Sequence, residues 1–268
     1  MTFALTGKRY KMLYDLISSQ QERVIFSCQR EGIDLRLIDP TRVVYTDVVL
    51  KKPFFILPKD ASEDNSILSS YEVTEPFEIC LGTSGLADVA KQVESADIVT
   101  FSPDKAGLTV QIKKGRYKEE FEIHYDEPYE LSELVKKIPK VEAKTISVVM
   151  KSPFLADALN PSHFATMLKF GEDVEISLGG KEMTFMLHGA GGKRKMTFRE
   201  GEAIEQIESK GVPEDTKAVV GLSYLVRSVP YACGFSVISK MEFGVKTPLI
   251  FTFSDVQAKI KQWIAQRS

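Results

Sequence analysis

The chain has few of the residues that mark secreted, metal-binding or membrane-spanning proteins. Of its 268 residues, three are cysteine, three are histidine and one is tryptophan. The cysteines are far apart and form no C-x-x-C pair, so the sequence suggests neither a disulfide framework nor a zinc site, and it favours a reducing compartment. No apolar run reaches the roughly 18 residues of a membrane helix, and the N-terminus has no secretion-signal pattern. These absences favour a soluble, cytosolic protein.

The chain also lacks a large net charge of either sign. Lysine and arginine number 35 and aspartate and glutamate 37, which leaves a formal net charge of −2. The whole-chain sum therefore has no basic excess of the kind that marks many nucleic-acid-binding proteins. A hydrophobic fraction of 43% and a charged fraction of 27% are those of an ordinary globular protein with enough apolar residues for two cores.

Short alternating apolar segments predict a chain made mostly of strands, and helical spacing is confined to a few places. The strands predicted in the first half are 24–28, 33–37, 43–50, 98–101, 108–112 and 118–124. Two helical stripes stand among them, one through Tyr10 and Ile17 and one through Leu86 and Val89, the latter with Thr83 or Ser84 as its N-cap.

The second half repeats this order. A helix that opens at Phe154 is predicted to run on through Leu168, and a further helical stripe passes through Leu222 and Val229. The strands predicted around these helices are 174–178, 183–187, 193–199, 236–241, 248–253 and 258–265. The repetition predicts an α+β protein of two similar domains, 1–124 and 141–268, each an antiparallel sheet backed by two helices.

Residues 125–140 form the predicted connector between the two domains. The segment is rich in Asp, Glu, Pro and Lys, with Leu131, Leu134 and Ile138 as isolated apolar residues. These three side chains either dock on a surface of the protein or belong to a partly helical connector.

Motifs for catalysis or metal binding are incomplete. His124, His163 and His188 have no metal-ligand spacing. Residues 82–85 (Gly-Thr-Ser-Gly) miss the G-x-S-x-G pattern of a nucleophile elbow, and residues 188–193 lead into a strand, whereas a phosphate-binding loop leads into a helix. The sequence therefore favours a protein that is not an enzyme and binds no metal or cofactor.

Two predicted strands carry opposite charge in alternation with apolar residues. The acidic strand contains Lys118, Glu119, Glu120, Phe121, Glu122 and Ile123. The basic strand contains Lys193, Arg194, Lys195, Met196, Phe198 and Arg199. If both lie at sheet edges, opposite charge would select one for the other between chains, and such head-to-tail contacts can close into a ring. The alternative is that both are ordinary solvated strand faces.

Several segments, in order along nearly the whole chain, resemble the proliferating cell nuclear antigen family, the sliding clamps of archaea and eukaryotes. Asp39-Pro-Thr-Arg-Val43 resembles the family's D-x-[ST]-[RH]-V segment, and Tyr224-Leu225 is similar to its Y-L helix. Residues 247–251 (Thr-Pro-Leu-Ile-Phe) and 263–267 (Trp-Ile-Ala-Gln-Arg) are similar to the P-L-x-[FI] strand and the closing L-A-P-R.

The resemblance implies a DNA clamp fold in a trimeric ring, with helices lining a channel around duplex DNA of any sequence. The acidic strand would pair with the basic strand of the next subunit, and residues 125–140 would be the interdomain connector loop. DNA polymerase, the clamp loader, nucleases and ligase would insert short peptide motifs into a pocket under that loop. By resemblance, the pocket residues are Ile38, Arg42, Val43, Tyr45, Leu131, Leu134, Ile138, Pro248, Trp263, Ala265 and Gln266.

The predicted helix faces supply cations for the channel. The DNA-facing candidates are Lys8, Arg9, Lys11, Lys91, Lys151, Lys169 and Arg227, and each is otherwise a solvated surface charge. A clamp needs few such contacts, because every neutralised phosphate adds salt-dependent grip. The resemblance implies a processivity factor for DNA replication and repair, near the nucleoid in an archaeon and in the nucleus of a eukaryote.

Some positions depart from the family pattern, and other functions stay open. Gln266 stands where the family usually has proline, Trp263 where tyrosine is common, and residues 160–171 look longer than the corresponding segment. The alternatives to a homotrimer are a subunit of a heterotrimeric archaeal or checkpoint-type clamp and a stand-alone peptide-binding adaptor.

Overall fold

The structure is a computed structural model that describes residues 2–57, 71–128, 145–209, 211–213, 216–245 and 247–267. The chain folds into two compact units. The first comprises Met1–Leu37, Asp47–Glu130 and Val256–Lys259, and the second comprises Ile38–Thr46, Leu131–Asp255 and Ile260–Ser268. The predicted division at 124 and 141 follows chain order, whereas these units exchange two short segments, because three strands have residues in both.

The first unit combines antiparallel strands with two helices. Its strands are β1 (Thr2–Thr6), β2 (Arg23–Gln29), β3 (Gly32–Ile38), part of β4 (Val44–Lys51), β5 (Tyr71–Glu72), β6 (Phe77–Gly82), β7 (Ile98–Pro103), β8 (Gly107–Lys114) and β9 (Tyr117–His124). One sheet has the order β5-β1-β7-β8-β9, and a second group has the order β6-β2-β3-β4. The strands predicted at 24–28 and 33–37 are confirmed as β2 and β3, which form an antiparallel hairpin with Ser27 opposite Asp34.

The helices of the first unit are α1 (Gly7–Ser18) and α2 (Thr83–Gln92). Helix α1 buries one stripe, and the buried Tyr10 donates its hydroxyl hydrogen to the carbonyl of Leu86 in α2 at 2.6 Å. The predicted N-cap at Thr83 or Ser84 is wrong. Gly82 occupies the cap without a side-chain bond, because the Thr83 hydroxyl donates instead to the carbonyl of Glu22 at 3.0 Å.

The second unit repeats the combination of strands and helices. Its strands are β10 (Ile146–Lys151), β11 (Asp173–Gly179), β12 (Glu182–Gly189), β13 (Gly192–Arg199), β14 (Ile204–Ser209), β15 (Lys217–Gly221), β16 (Ile238–Phe243), β17 (Leu249–Ser254) and most of β18 (Ala258–Ile264). One sheet has the order β13-β12-β11-β15, and the other group has the order β14-β10-β16-β17-β18, with the first residues of β4 next to β18. The observed architecture is the α+β class predicted from the sequence.

The helices of the second unit are α3 (Ser152–Ala158), α4 (Phe164–Leu168) and α5 (Leu222–Cys233). The prediction of one helix from Phe154 to Leu168 is wrong. Proline has no backbone N–H and disfavours helical geometry in the residue before it, so α3 ends before Asn160 and a 3₁₀ turn, Pro161–His163, separates it from α4. The Asn160 side chain caps that turn by accepting a bond from the Ser162 amide at 2.9 Å.

Apolar side chains from the sheets and helices fill the interior of each unit. Phe3 stacks on Phe101 in the first unit, and Phe251 stacks on Phe253 in the second. Among the residues that the structure describes, no helix combines the length and apolarity that crossing a bilayer requires. Within the same residues, no three His, Cys, Asp or Glu side chains lie together in a way that could hold a metal ion.

Candidate functional site

The two oppositely charged strands both lie at sheet edges. Strand β9 ends the β5-β1-β7-β8-β9 sheet, and β13 ends the β13-β12-β11-β15 sheet. Their burial follows the same succession, two exposed positions and then alternating half-buried and exposed ones, with a single buried position near the end. Each edge therefore presents unpaired backbone groups and a half-buried apolar side chain, Phe121 on β9 and Met196 on β13.

Charged neighbours partly neutralise each edge strand. Lys114 of β8 makes a 2.9 Å ion pair with Glu119, and the hydrogen bond to that carboxylate raises the pKa of Lys114. Glu182 of β12 holds Arg199 at 2.8 Å. The charges that remain exposed are Lys118, Glu120 and Glu122 on β9 and Lys193 and Lys195 on β13.

Four candidate cations on or near the helices are exposed or half-exposed. Lys8 and Lys11 lie on α1, Lys169 follows α4, and Arg227 is the one fully exposed residue of α5. None of these four side chains has a hydrogen bond or ion pair within the part of the chain that the structure describes. They form a sparse set of cations, and the helices also carry acidic residues, among them Asp15 of α1 and Asp88 of α2.

The other three candidate cations have partners inside the protein. Arg9 departs most from expectation. Its guanidinium donates to the carbonyls of Phe54 at 2.5 Å and Ile56 at 2.7 Å, and it lies over the Phe54 ring. Lys91 pairs with Asp88 at 2.8 Å, a bond that raises the pKa of Lys91. Lys151 belongs to β10, is half-buried and donates to the Glu202 carbonyl at 2.9 Å.

The pocket candidates that the structure describes all lie in the second unit. Tyr45 is buried, and its ring centroid lies 5.2 Å from that of Trp263. The Lys261 ammonium lies 4.8 Å from the centre of the Trp263 ring, a cation–π distance. Ile38, Val43 and Pro248 are half-buried, whereas Arg42 and Ala265 are exposed. Leu131, Leu134 and Ile138 lie outside the described residues, as do residues 129–140 of the predicted connector.

The turn before β4 is held by the carboxylate of Asp39, which sequence reasoning noted only as part of a family segment and gave no role. It accepts bonds from the amides of Thr41 at 3.0 Å, Val43 at 2.7 Å and Val44 at 2.5 Å, and from the Thr41 hydroxyl. Inside this turn Arg42 is the one non-glycine residue with positive φ, at 60°, in the described chain. The signal was present, because an Asp that opens a short polar segment is typical of a side-chain-stabilised turn.

The C-terminal segment is tied to the second unit along its length. The Ala265 amide donates to the carbonyl of Val43 at 2.9 Å, and the Arg267 amide donates to that of Val219 at 2.8 Å. The Arg267 guanidinium also pairs with Asp173, at 2.9 Å and 3.0 Å. Between these two ties, Gln266 donates from Nε2 to two backbone carbonyls. The polar and charged residues of this segment did not indicate from sequence that it is held by hydrogen bonds and an ion pair.

The remaining reactive side chains are placed as structural groups. Cys28, Cys80 and Cys233 are free thiols and buried, and burial raises the pKa of Cys28 and of Cys233 to about 12. His124, His163 and His188 are exposed. Residues 188–193 contain the end of β12, a two-residue turn and the start of β13, with Gly189 opposite Gly192, and they lead into a strand as the sequence predicted.

Comparison with known proteins finds likeness along the whole chain, although no family model matches it. The sequence is 24% identical over 246 residues to the DNA polymerase sliding clamp of Pyrococcus furiosus, covering 91% of this chain and 88% of that protein. It is 25% identical over 256 residues to the DNA polymerase sliding clamp of Thermococcus gammatolerans, covering 93% and 91%.

Solved structures with this fold have also been identified. A chain of the PCNA2–PCNA3 complex from Sulfolobus tokodaii matches with a TM-score of 0.81 and 16% identity, covering 100% of this chain and 99% of that chain. The proliferating cell nuclear antigen (PCNA) of Thermococcus kodakaraensis matches with a TM-score of 0.76 and 18% identity, covering 99% of both chains. The fold of the chain is that of these proteins from end to end.

Proposed function

We propose that this chain, which resembles the sliding clamps of the PCNA family in sequence and fold over nearly its whole length, acts as a DNA sliding clamp. Subunits close into a ring around duplex DNA and tether DNA polymerase and other replication and repair proteins to their template. The function is mechanical, so the subunit itself catalyses no reaction. It works wherever the cell keeps its DNA.

The observation that carries the proposal is the pair of edge strands. Strands β9 and β13 end different sheets in different units and carry opposite charge. An edge strand leaves backbone N–H and C=O groups unpaired, and Phe121 and Met196 are only half-covered. Pairing of β9 with the β13 of another subunit would satisfy the backbone groups and bury both side chains. Because the two strands differ, the contact is head-to-tail and can close into a ring.

The sparse helix cations support a channel that holds DNA without gripping it. Each phosphate contact adds salt-dependent affinity and therefore friction. Lys8, Lys169 and Arg227 make no hydrogen bond or ion pair among the described residues, and Lys11 interacts electrostatically with Asp15 without forming an ion pair, so these four are the proposed DNA-facing set. Lys91 and Lys151 would contribute less to DNA contact because each is already bonded within the protein. Arg9 is left out of the set because its guanidinium binds the carbonyls of Phe54 and Ile56.

The pocket around Tyr45 and Trp263 is the proposed docking site for partner peptides. Aromatic rings beside half-buried aliphatic residues such as Ile38, Val43 and Pro248 suit the apolar anchors of a short peptide. The connector residues Leu131, Leu134 and Ile138 belong to the proposed site as a covering segment. Polymerase, clamp loader, nuclease and ligase would compete for it through such peptides.

One observation also favours a mixed ring. The exposed cations of β13 that remain unpaired among the described residues are Lys193 and Lys195, whereas the exposed charges of β9 combine Lys118 with Glu120 and Glu122. A ring of identical subunits leaves cations of β13 incompletely matched at every interface. A paralogous subunit with a more acidic edge strand would match them better.

The solution mass of the purified chain tests the proposal. Light scattering at micromolar concentration is expected to give the mass of three chains for a homotrimer. A monomer that becomes a trimer only after a paralogous subunit is added would establish the mixed ring. A monomer that forms no assembly with any clamp subunit and leaves polymerase processivity unchanged in the presence of a clamp loader would contradict the clamp function and favour a peptide-binding adaptor.

A further inference from the structure

Gln266 makes two hydrogen bonds that determine the orientation of its side chain. Its Nε2 donates to the carbonyl of Gly244 at 3.0 Å and to the carbonyl of Thr247 at 2.5 Å. An amide nitrogen has two hydrogens and its oxygen has none. The two backbone oxygens therefore require the nitrogen on their side, and Oε1 is directed away from them.

The backbone on both sides of Gln266 is fixed as well. Ala265 is bonded to Val43 and Arg267 to Val219 through their amides, and the Arg267 guanidinium is paired with Asp173. Gln266 thus joins a pinned C-terminal segment to the β16–β17 loop, which leads into the half-buried Pro248. A side chain held in this way loses no further conformational entropy when it binds a ligand.

The oxygen Oε1 of Gln266 has no hydrogen-bond donor within the residues that the structure describes. The residue is half-exposed, and it lies beside Ala265 at the proposed peptide pocket. A carbonyl oxygen of fixed direction accepts best from an N–H placed along its lone pairs. Peptides bring such groups in their backbone amides and in amide side chains.

We infer that Gln266 is a specificity-determining residue of the peptide pocket, which presents Oε1 to an N–H donor of the bound peptide while Nε2 holds the β16–β17 loop. This inference rests on the proposed peptide-docking function. A proline at this position would have neither the donor nor the acceptor in its side chain. The pocket therefore favours partner peptides that carry an N–H donor at this place, whereas a pocket with proline there would not bind such peptides more tightly than others.

An amide-to-ester scan of a bound peptide tests the inference. The probe is a twelve-residue peptide selected by display against the full-length protein, with each backbone amide replaced in turn by an ester and each amide side chain by an apolar one of similar size. Binding of every version is measured by fluorescence anisotropy to the wild type, to Gln266→Met and to Gln92→Met. Met matches the length of Gln but has no N–H and only a weak sulfur acceptor, and Gln92 is an exposed glutamine of α2 in the other unit.

One peptide donor is expected to couple to Gln266. Its removal should weaken binding to the wild type and to Gln92→Met about 3- to 10-fold, the contribution of one neutral hydrogen bond, and should leave binding to Gln266→Met unchanged. Hydrogen exchange in residues 243–249 should accelerate in Gln266→Met alone. A purely structural glutamine would accelerate exchange without this coupling.

Each other outcome counts against a defined claim. If every donor replacement has the same effect on the wild type and on Gln266→Met, the acceptor role is wrong while the peptide pocket stands. If no selected peptide loses affinity when Tyr45 is changed to Ala, the pocket and the inference both fail. The ring remains testable by its mass in either case.

Discussion

Asp39 is the residue on which the conformation of the pocket edge depends. Its carboxylate accepts from the amides of Thr41, Val43 and Val44, and these bonds enclose Arg42 at a φ of 60°. A left-handed conformation costs a non-glycine residue about 1 kcal/mol or more. The turn tolerates that cost because a charged acceptor satisfies several donors at once, including the buried amide of Val44.

Replacing Asp39 is expected to destabilise the protein strongly. Asp39→Ala should lower the free energy of unfolding by about 2–4 kcal/mol, because several amides lose their acceptor, and Asp39→Asn should lower it less. Arg42→Gly should raise it by up to about 1 kcal/mol, because glycine relieves the positive φ. Urea unfolding measures all three. An Asp39→Ala protein as stable as the wild type would refute this account of the turn.

The buried thiols predict how stability depends on pH. An unfolded cysteine has a pKa of about 8.5, and burial raises the pKa of Cys28 and of Cys233 to about 12. Their contribution to stability is therefore complete below pH 8.5 or so and is lost as the pH rises toward 12. Burial also raises the pKa of Tyr10 and of Tyr71, which acts in the same direction at higher pH.

A thiol titration and a pH series check this prediction. At pH 8 the native protein should consume no thiol reagent, whereas the protein unfolded in guanidinium should consume three equivalents, one for each cysteine of the sequence. The urea concentration at which half of the protein is unfolded should decrease as the pH is raised from 9 to 11. Rapid labelling of the native protein at pH 8 would show that the thiols are accessible and would contradict their burial.

At the scale of elements, β9 and β13 are matched in burial and opposed in charge. Charge reversal of Lys193, Arg194 and Lys195 to Glu should weaken assembly by about 2–4 kcal/mol at each interface, seen as a fall in mass by light scattering. Adding Glu120→Lys and Glu122→Lys to the same chain should restore the assembly. In that chain every interface again pairs opposite charges. Substitutions that weakened assembly only by destabilising the fold would weaken it further when combined.

A matched control lies at the opposite edge of the same sheet. Lys217 is an exposed cation of β15, paired with Glu175 at 3.0 Å. Lys217→Glu should leave the mass unchanged. The strand pairing is wrong if the triple reversal leaves the mass unchanged too, or if the combined variant stays dissociated while retaining the far-ultraviolet circular dichroism of the wild type.

Strands were predicted correctly where apolar residues alternate, and also where a short apolar run is buried, as in β17. Strands β2, β3, β9 and β13 show alternation, and the opposite charge of β9 and β13 could be read from the sequence, whereas their position at sheet edges was only a condition of the prediction. Strand β10 shows no alternation, because its first three residues are all buried and a strand covered on both faces has no period. The break between α3 and α4 depends on Pro161, and helical spacing of the flanking apolar residues concealed it.

The sequence could indicate a candidate site where residue type suggests the role. Aromatic and aliphatic residues such as Tyr45 and Trp263 suggested a pocket through the family resemblance, and the structure brings them together. The partners of Arg9 and Gln266 could not be predicted, because their acceptors are backbone carbonyls far along the chain. A carbonyl has no sequence signature, so only the fold shows which side chain it engages.

At the scale of the whole molecule, the net charge of −2 does not argue against a DNA partner. What matters for a ring is where the charges lie. Lys8 and Arg227 are exposed cations on helices, Lys169 is an exposed cation that follows α4, and Lys11 is a half-buried cation of α1 that interacts electrostatically with Asp15. A low overall charge limits adventitious binding of nucleic acid, while a few cations suffice to accommodate a threaded duplex.

Removing these cations should change the salt dependence of DNA binding and leave assembly intact. In a chain with Lys8→Ala, Lys11→Ala and Arg227→Ala, the slope of log K against log salt should become shallower by roughly 0.9 for each phosphate that the protein no longer neutralises. Lys240→Ala, a change on strand β16, is the matched control and should leave the slope unchanged. Equal slopes for the wild type, the triple variant and the control would show that the DNA does not contact Lys8, Lys11 and Arg227.

The central claim is that the assembled protein holds DNA by enclosing it. In the most direct measurement, the protein is threaded over the free end of a surface-tethered duplex, and that end is then capped with a bulky protein. The surface is washed at 1 M salt, and the protein that stays on the DNA is measured. The ring account predicts that the protein stays on capped DNA and leaves when a restriction enzyme cuts near the cap. Release in the high-salt wash, whether or not the end is capped, would contradict it.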